Sequence, residues 1–515
     1  MAANGANGST DSVPFKLNDP SLLHQQCLIG GEWVEAKAGR RFDIIDPGTG
    51  DPFASAPIAD VADAQAALES STSAFSTYSK WTPRQRAQTI LKWHELVTAN
   101  KADIATLVTY ETGKPYYESL GEMDYALGFT WFFAGEAERI QGAVYSAAMP
   151  GRRVLTVKQP IGVAVALVPW NFPIAMVLRK AGAALAAGCA LVIKPSPETP
   201  LSVLALADLA NRAGFPKGTV NVLTTDLEAT PRLSEELCTN SLTAKVSFTG
   251  STRVGRLVAA HCAKAGPKKV TMELGGNCPF VVFGDANLEL AATQLMGLKW
   301  RHAGQACITA NRVYVQKNVL SKFEEMMVEK TKALKVGHGM DEGVKMGPLT
   351  TDRSLPKIAS HVQDARSLGA RILLGGNKGT GPTDENKDKT KNGYFYEPTV
   401  LSDVNKDMLI SKEETFGPLL AIYPFDTEEE VTKLANDTSM GLASYVFTQD
   451  VDRLWRMFEN LEAGMIGLNT GNQSAAESPF GGIKDSGYGK ESGKDVAVAE
   501  YLITKTGTLT VSDHY

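Results

Sequence analysis

The stretch VAVALVPWNFPIAMVLRKAGAALAAGCALVIKPS, residues 163–196, holds two short apolar runs with an amphipathic segment between them. The runs VAVALVPW and ALVIKPS are rich in Val, Ile and Leu and are broken by Pro, as buried strands often are. Apolar residues recur at helical spacing in IAMVLRKAGAALAAG between them. This stretch therefore predicts strand, helix and strand in succession, the unit from which parallel sheets are built.

The same alternation continues downstream. PLSVLALADLANRAG, TVNVLTT, AKVSFTG, a helical segment from about residue 251 and VTMELGG follow in order. Buried strands separated by amphipathic helices indicate a parallel sheet with helices on both faces, so we predict a Rossmann-like domain here. A second alternating set runs from PFVVF past GMIGLNTG and predicts a second α/β domain.

The flanking segments have other patterns. Short apolar alternations with Gly and Pro turns from FKLNDPSLLHQQCLIGGEWVEA to FDIIDPGTGDP predict β-structure. Helices follow, beginning with Thr82 as N-cap and Pro83 at the first helical position. The C-terminal AVAEYLITKTGTLTV is rich in Thr and β-branched residues and predicts an edge strand suited to an oligomer contact.

Composition excludes several classes of protein. At 515 residues and 43% hydrophobic content the chain can bury a large core. Its net charge of −5, with Lys and Arg scattered, argues against a nucleic-acid partner. The longest apolar runs fall short of the roughly 20 residues that a membrane span needs, so we expect no membrane association.

The cysteines and histidines are dispersed. Six cysteines without paired short spacing argue against a disulfide framework and indicate a reducing compartment, and seven scattered histidines predict no metal site. MAANGANGSTDSVPF carries no targeting signal, so we expect a cytoplasmic protein, with residues 1–13 as a disordered tail.

Cys307 lies among small and polar residues in WRHAGQACITANR, residues 300–312. One interpretation is a small buried hydrophobe, the usual fate of a free cysteine. The other is a nucleophile, which needs access and a source of charge stabilisation because only the thiolate attacks. Gly304 would let a ligand approach, and Ala306 and Ile308 leave little bulk beside the sulfur.

Two more polar residues follow predicted strands. Glu273 ends a predicted buried strand in VTMELGGNCPF, where burial would raise its pKa toward the range of a general base; alternatively it caps a turn. Asn171 in VPWNFP could donate a hydrogen bond to an oxyanion; alternatively it is an ordinary helix N-cap.

Gly250 and Ser251 in SFTGSTRVG lie between a strand and a helix, where helix N-terminal amides can hold a pyrophosphate. By itself this turn is a weak signal, and it lacks the G-x-G-x-x-G spacing of the usual dinucleotide-binding fingerprint.

Taken together, these stretches resemble the aldehyde dehydrogenase superfamily. The motifs that carry the resemblance appear in the family's order along nearly the whole chain: GEWV, ETGKP, PWNFP, KPSPETP, FTGSTRVG, ELGGN, GQACI, EETFGP, GLN and SPFGGIKDSGYGKE. The resemblance implies a Rossmann-like cofactor domain, an α/β catalytic domain and a small β oligomerisation element. We place these at 14–145 with 163–282, at 283–483, and at 146–162 with 484–515.

The resemblance also implies a catalytic set. Cys307 would attack an aldehyde carbon, with Asn171 and the Cys307 amide stabilising the oxyanion. A thiohemiacetal and then a thioester would form on the cysteine, and Glu273 would activate the hydrolytic water. Lys180 matches a lysine implicated in the family's proton relay.

A dinucleotide site is implied by the same resemblance. Glu414 and Phe416 match residues that hold the nicotinamide ribose and pack the ring, while Gly250 and Ser251 would meet the pyrophosphate. Trp170 would lie along the cofactor.

At the adenosine end, Lys194 matches the ribose-binding lysine, but the glutamate found three residues later in many NAD-using members is here Pro197, preceded by Ser196. Glu198 is displaced by one position. The missing carboxylate favours NADP, with NAD as the alternative.

Substrate choice is implied by two arginines. Arg179 and Arg301 match the pair that binds the distal carboxylate in succinate-semialdehyde dehydrogenases, although either could instead form a surface or interdomain ion pair. Ser474, or alternatively Ala475, matches an assisting serine. We therefore expect oxidation of succinate semialdehyde to succinate by a homodimer or homotetramer. The alternatives are a longer acid semialdehyde such as glutarate semialdehyde, or a non-catalytic relative.

Overall fold

The computed structural model describes residues 13–379 and 392–512, so residues 1–12 of the predicted tail lie outside the described residues. The α-helices of the described part are α1 Val61–Tyr78, α2 Pro83–Ala99, α3 Lys101–Thr112, α4 Tyr116–Ala137, α5 Pro173–Ala187, α6 Pro200–Ala213, α7 Thr230–Thr239, α8 Thr252–Lys264, α9 Leu288–Lys299, α10 Leu320–Lys332, α11 Ser354–Ser367, α12 Leu409–Lys412, α13 Glu428–Asn436 and α14 Val451–Asn460. Short 3₁₀ helices span Pro20–Leu22, Arg301–Gly304, Lys317–Val319 and Val498–Tyr501.

The strands of the described residues fall into two large sheets and three small ones. In chain order they are β1 Cys27–Ile29, β2 Glu32–Val34, β3 Arg41–Asp46, β4 Asp51–Pro57, β5 Ala143–Ser146, β6 Arg152–Pro160, β7 Val163–Leu167, β8 Ala190–Lys194, β9 Val220–Val222, β10 Thr243–Thr249, β11 Lys269–Glu273, β12 Cys278–Val282, β13 Ala310–Gln316, β14 Arg371–Leu374, β15 Thr399–Ser402, β16 Leu419–Phe425, β17 Met440–Gly441, β18 Ala443–Phe447, β19 Met465–Leu468, β20 Ile483–Lys484, β21 Gly487–Tyr488 and β22 Leu502–Thr510.

The first sheet contains the predicted strand–helix–strand unit. β7 and β8 pair in parallel with α5 between them in the chain, which confirms the prediction from residues 163–196. The full order is β2-β1-β9-β8-β7-β10-β11-β21, parallel from β9 to β11 and antiparallel at both edges. Every residue of α5 is buried because α4 packs against it on the side away from the sheet.

The strand order reverses between β7 and β10, where the chain stops adding strands on one side and begins on the other. Ligands of open α/β sheets bind outside the carboxyl ends of the strands at such a reversal. The residues that follow β7 and β10 are Val168 onward and Gly250 onward, so this edge carries the predicted Asn171 and Ser251.

The second sheet confirms the second α/β set. Its order is β14-β15-β16-β13-β12-β18-β19, parallel except at β14. β12 pairs with β13 and β18 in this sheet, although the predicted boundary at residue 282 groups it with the first. The domain boundaries themselves stay predictions.

A three-stranded antiparallel sheet, β22-β6-β5, projects apolar side chains into solvent. Val144 is 78% exposed and Leu509 is 54% exposed. β22 pairs with β6 over its whole length, as the C-terminal pattern led us to expect of a strand. Within the described residues, no helix is both long enough and apolar enough to cross a membrane.

Candidate active site

A cavity of about 1070 Å³ lies where the carboxyl edge of the first sheet meets segments of the second. Ten of the residues predicted from sequence line it: Trp170, Asn171, Arg179, Gly250, Ser251, Arg301, Cys307, Glu414, Phe416 and Ser474. Glu273, Lys180, Lys194 and Ser196 are not among its lining residues. Long-range topology thus brings together side chains that are up to 304 positions apart.

Cys307 lies in the wall of this cavity, on the loop after the 3₁₀ helix Arg301–Gly304. All six cysteines are described and free, and Cys307 alone is partly exposed. Cys307 packs against the second hydrophobic core and is partly accessible from the cavity, as a nucleophile needs. Burial of the thiol, with the nearby negative charge of Glu414, raises the pKa of Cys307 to about 12, so a proton acceptor or a cation is needed to form the thiolate.

The loop before Cys307 is strained. His302 and Ala303 have φ of 50° and 51°, and Gly304 has φ of 74°. A Cβ on Gly304 would lie 2.2 Å from the carbonyl oxygen of Gly417. The glycine is thus needed for contact with another backbone segment, which corrects our expectation that it admits a ligand.

Asn171 faces the cysteine loop across the cavity. Its Nδ2 donates to the carbonyl oxygen of Gln305 at 3.0 Å, and its own carbonyl oxygen accepts from Lys114 Nζ at 2.8 Å. The N-cap of α5 is Phe172, with no side-chain cap bond. The interpretation of Asn171 as an ordinary N-cap is therefore wrong; Asn171 lines the cavity, and its Nδ2 makes no second hydrogen bond among the described residues.

Glu273 ends β11 behind the cavity wall, next to the lining residue Leu274. The residue is 2% exposed, and neither carboxyl oxygen accepts a hydrogen bond from a described group, so it caps no turn. Burial first, and then the charge of Glu491, raise the pKa of Glu273 well above its usual range. A Cβ on Gly481 would lie 2.8 Å from Glu273 Oε1, so the glycine makes room for this carboxyl group.

Sequence reasoning missed Glu491. Its carboxylate pairs with Lys180 Nζ and lies 3.3 Å from Arg179 Nε, and it also accepts from Ser247 Oγ at 2.9 Å. Burial lowers the pKa of Lys180. Glu491 is the last residue of the motif SPFGGIKDSGYGKE, so the sequence did single out this segment. Nothing in the sequence indicated that Glu491 pairs with Lys180, 311 positions earlier.

Another part of the cavity has features that suit the binding of an anion and of a flat ring. Ser251 is the N-cap of α8, and Gly250 before it has no room for a Cβ, which would lie 2.5 Å from the Phe248 ring. Trp170 and Phe416 meet edge to face with centroids 5.6 Å apart.

Glu414 completes this part of the cavity. Glu414 Oε1 accepts from the Gly276 amide at 3.1 Å, and burial raises the pKa of Glu414 to about 7.

Lys194 and Ser196 lie beyond this cavity, at the carboxyl end of β8. Burial lowers the pKa of Lys194 to about 8, and its ammonium forms no ion pair within 4 Å in the described part of the chain. Ser196 Oγ donates to Glu198, whose carboxylate also pairs with Arg353. Glu198 is therefore held by two neighbours.

The two predicted substrate arginines have unpaired nitrogens. Nε and Nη1 of Arg179 and Nε of Arg301 are buried and make no hydrogen bond among the described residues. Arg179 lies 4.0 Å over the Phe480 ring and is held by Glu491, which is an ion pair but a buried one inside the site. Arg301 forms no ion pair with any described residue, and its guanidinium carbon lies 5.2 Å from the Phe172 ring.

Ser474 completes this half of the cavity. Its Oγ is 2.5 Å from the Tyr125 hydroxyl, and both residues line the cavity. Ala475 does not line it, which favours Ser474 over the alternative position. Within residues 13–379 and 392–512, no group of three or more His, Cys, Asp or Glu side chains is arranged to hold a metal ion.

Comparison with known proteins agrees with this arrangement. Residues 33–507 match the sequence model of the aldehyde dehydrogenase family. The chain belongs to that family. Among curated relatives, the NADP(+) succinate-semialdehyde dehydrogenase of Escherichia coli K12 is 44% identical over 95% of this chain and 99% of its own length.

Two more aldehyde dehydrogenases extend the comparison. The glutarate-semialdehyde dehydrogenase of Pseudomonas putida is also 44% identical, over 96% of this chain and its whole length. A crystal structure of an aldehyde dehydrogenase from Brucella melitensis biovar abortus 2308 superposes with a TM-score of 0.92 at 43% identity, covering 97% of this chain and all of that one.

The residues of this aldehyde dehydrogenase fit a nicotinamide dinucleotide. The helix N-terminus at Ser251 suits a pyrophosphate, the Trp170–Phe416 ring pair suits a flat ring, and the unpaired buried ammonium of Lys194 suits a ribose or its phosphate. Lys194, Trp170 and Ser251 lie at or just after the carboxyl ends of the neighbouring strands β8, β7 and β10, and the strand order reverses between β7 and β10.

Proposed function

We propose that this chain oxidises succinate semialdehyde to succinate with NADP, by covalent catalysis at Cys307. The observation that carries the substrate is that buried guanidinium nitrogens of Arg301 and Arg179, in the wall of the cavity that holds Cys307, make no hydrogen bond among the described residues, and that Arg301 has no ion pair there. Buried donors without a hydrogen-bond partner are costly, and a substrate carboxylate would satisfy them. Relatives that bear the names of acid-semialdehyde dehydrogenases support the same substrate class.

The first step in this proposal is addition to the aldehyde. The Cys307 sulfur attacks the carbonyl carbon after losing its proton, and a thiohemiacetal forms. The free N–H of Asn171 Nδ2 and the amide of Cys307 donate to the oxygen that becomes negative. Their preorganisation matters because the carbonyl oxygen gains its charge only in the transition state.

A bound NADP would supply the acceptor for the hydride of the thiohemiacetal carbon, whose loss would convert the adduct on Cys307 into a thioester. Trp170, Phe416 and Glu414 would hold the nicotinamide end, and Ser251 the pyrophosphate. Glu273 then takes a proton from the water that attacks the thioester carbon, and the Cys307 sulfur leaves as a thiolate while succinate forms. Burial raises the pKa of Glu273 well above its usual range, which favours its holding the proton that it takes from this water.

The cofactor preference rests on Pro197 and Glu198. Pro197 supplies no carboxylate beside Lys194, and Glu198 is occupied by Ser196 and Arg353. The cation at Lys194 is therefore available to a 2′-phosphate, which favours NADP over NAD.

We further propose that the enzyme is cytosolic and forms a homodimer or homotetramer through β22, β6 and β5. Free cysteines throughout the chain support the reducing compartment, and the exposed apolar side chains of this small sheet support the contact.

The test is a substrate and cofactor panel on the wild-type enzyme. We expect kcat/KM for succinate semialdehyde to exceed that for butanal, which has the same length without the charge, and the value with NADP to exceed that with NAD. Cys307→Ala serves as the inactive control. Equal kcat/KM for the two aldehydes would remove the acid substrate, and a higher value for glutarate semialdehyde would assign the longer substrate, as the Pseudomonas putida relative suggests.

A further inference from the structure

A buried ion pair lies directly beneath the loop that carries Asn171. Lys114 follows α3, and Glu122 lies on α4. Lys114 Nζ is 2.5 Å from Glu122 Oε2, and both side chains are 0% exposed. Neither residue is among the predicted substrate-binding or cofactor-binding residues.

This pair fixes the backbone on both sides of Phe172. Lys114 Nζ donates to the Asn171 carbonyl oxygen at 2.8 Å and lies 4.1 Å over the Phe172 ring. Glu122 Oε1 accepts from the amides of Ile174 at 2.9 Å and Ala175 at 3.2 Å, in the first turn of α5. Since α5 has no side-chain cap of its own, Glu122 satisfies these two amides instead.

A second carboxyl group shows that the lysine is not needed merely to cap a helix. Glu111 is buried and accepts from the amides of Leu201 at 2.5 Å and Ser202 at 3.1 Å at the start of α6. It forms no ion pair with any described residue, and α6 begins normally. The start of α6 thus has a buried glutamate without a lysine beside it. The start of α5 has a glutamate and also Lys114, and the loop before this helix carries Asn171.

Buried ion pairs contribute little net stability compared with apolar groups of the same volume. Placement of a catalytic donor is more demanding, because a displacement of about 1 Å can reduce the rate by about 100-fold. Asn171 has the second fixed contact that such placement needs, the 3.0 Å bond from its Nδ2 to the Gln305 carbonyl oxygen, two residues before Cys307.

We propose that Lys114 and Glu122 are positioning residues that hold the Asn171 amide against the oxygen of the reacting aldehyde. This inference rests on the proposed aldehyde oxidation, though not on the identity of the aldehyde. Lys114 acts on the Asn171 carbonyl, Glu122 acts on the helix start that follows, and together they set the direction of the Asn171 side chain.

The test is a double-mutant cycle that combines Lys114→Met with Asn171→Ala, read as the single-turnover rate of NADPH formation. We expect Lys114→Met to lower that rate by about 10-fold to 100-fold with KM changed by less than about 3-fold. In the Asn171→Ala background the same change should cost less than about 2-fold, because the group it positions is gone. Glu122→Gln should behave in the same way, and Glu111→Gln is the matched control, with a lower Tm and an unchanged rate.

A Lys114→Met enzyme that is folded and as fast as wild type would overturn the inference. So would an equal loss in both backgrounds, which would mean a general structural role. If Lys114→Met does not fold, Glu122→Gln takes its place in the double-mutant cycle. The side-chain oxygen of the new glutamine can still accept from the amides of Ile174 and Ala175. If the wild-type enzyme oxidises no aldehyde, the proposed function is wrong. If it prefers another aldehyde, the double-mutant cycle is measured with that substrate.

Discussion

Replacing Arg301 by Met should separate recognition of the substrate carboxylate from catalysis. Arg301 lines the cavity, has a buried Nε without a hydrogen-bond partner and forms no ion pair among the described residues. Removing it also removes a positive charge near the buried Glu118, so a thermal melt must show that the variant stays folded. The methionine keeps much of the length of the arginine side chain, while the guanidinium contact with the Phe172 ring is lost.

The size of the effect follows from the lost contact. A hydrogen bond to a charged group contributes about 1.5–3 kcal/mol, and about 1.4 kcal/mol corresponds to a tenfold change in rate. We expect kcat/KM for succinate semialdehyde to fall by about 10-fold to 150-fold. The value for butanal should stay within about 3-fold, because butanal has no carboxylate to lose.

The assay is steady-state NADPH formation with both aldehydes, accompanied by a thermal melt. Arg232→Met, at an exposed position of α7, is the matched control and should leave all values unchanged. An equal loss on both aldehydes would place Arg301 in the catalytic step. No loss on either would refute the reasoning that its unpaired guanidinium awaits an anion.

Further expectations concern the thiol, the buried carboxyl groups and the strained loop. Because the raised pKa of about 12 leaves little thiolate at pH 7, alkylation of Cys307 by iodoacetamide without cofactor should accelerate by about tenfold per pH unit from 7 to 10; a plateau by pH 8 would contradict this. Glu491→Gln removes a negative charge that raises the pKa of Glu273, so that pKa should fall. The rising limb of the pH profile of the deacylation rate should then move to lower pH. An unchanged profile would show that Glu491 does not influence the pKa of Glu273. Gly304→Ala puts a Cβ 2.2 Å from the Gly417 carbonyl oxygen at a φ of 74°, so it should cost about 1–3 kcal/mol and lower the Tm, and a melt equal to wild type would show that the loop relaxes freely.

Local pattern was sufficient for the elements, and the motifs added ten residues that line the cavity. The strand–helix–strand unit at 163–196 and both parallel sheets follow from hydrophobic periodicity, because a buried strand and an amphipathic helix leave distinct signals over a few residues. Motif order added lining residues such as Asn171 and Cys307, which lie in loops between helices and strands.

Which strands pair, and which segments pack together, could not be predicted from local sequence pattern. β12 belongs to the second sheet, as expected of the set that begins at PFVVF, but the predicted domain boundary at residue 282 groups it with the first, because distance along the chain does not determine which strands pair. Gly304 was expected to face a ligand, but a backbone segment 113 positions later lies against it.

The sequence by itself determined the α/β class, the two parallel sheets, the family, and the cysteine that we propose as the nucleophile. Only the tertiary structure decided which charges act on one another: Glu491 on Lys180 and Glu273, and Lys114 with Glu122 on the loop of Asn171. The physical reason is that periodicity and turn chemistry act over a few residues, whereas the cost of burying a charge is set by partners that folding brings within a few ångströms from anywhere in the chain.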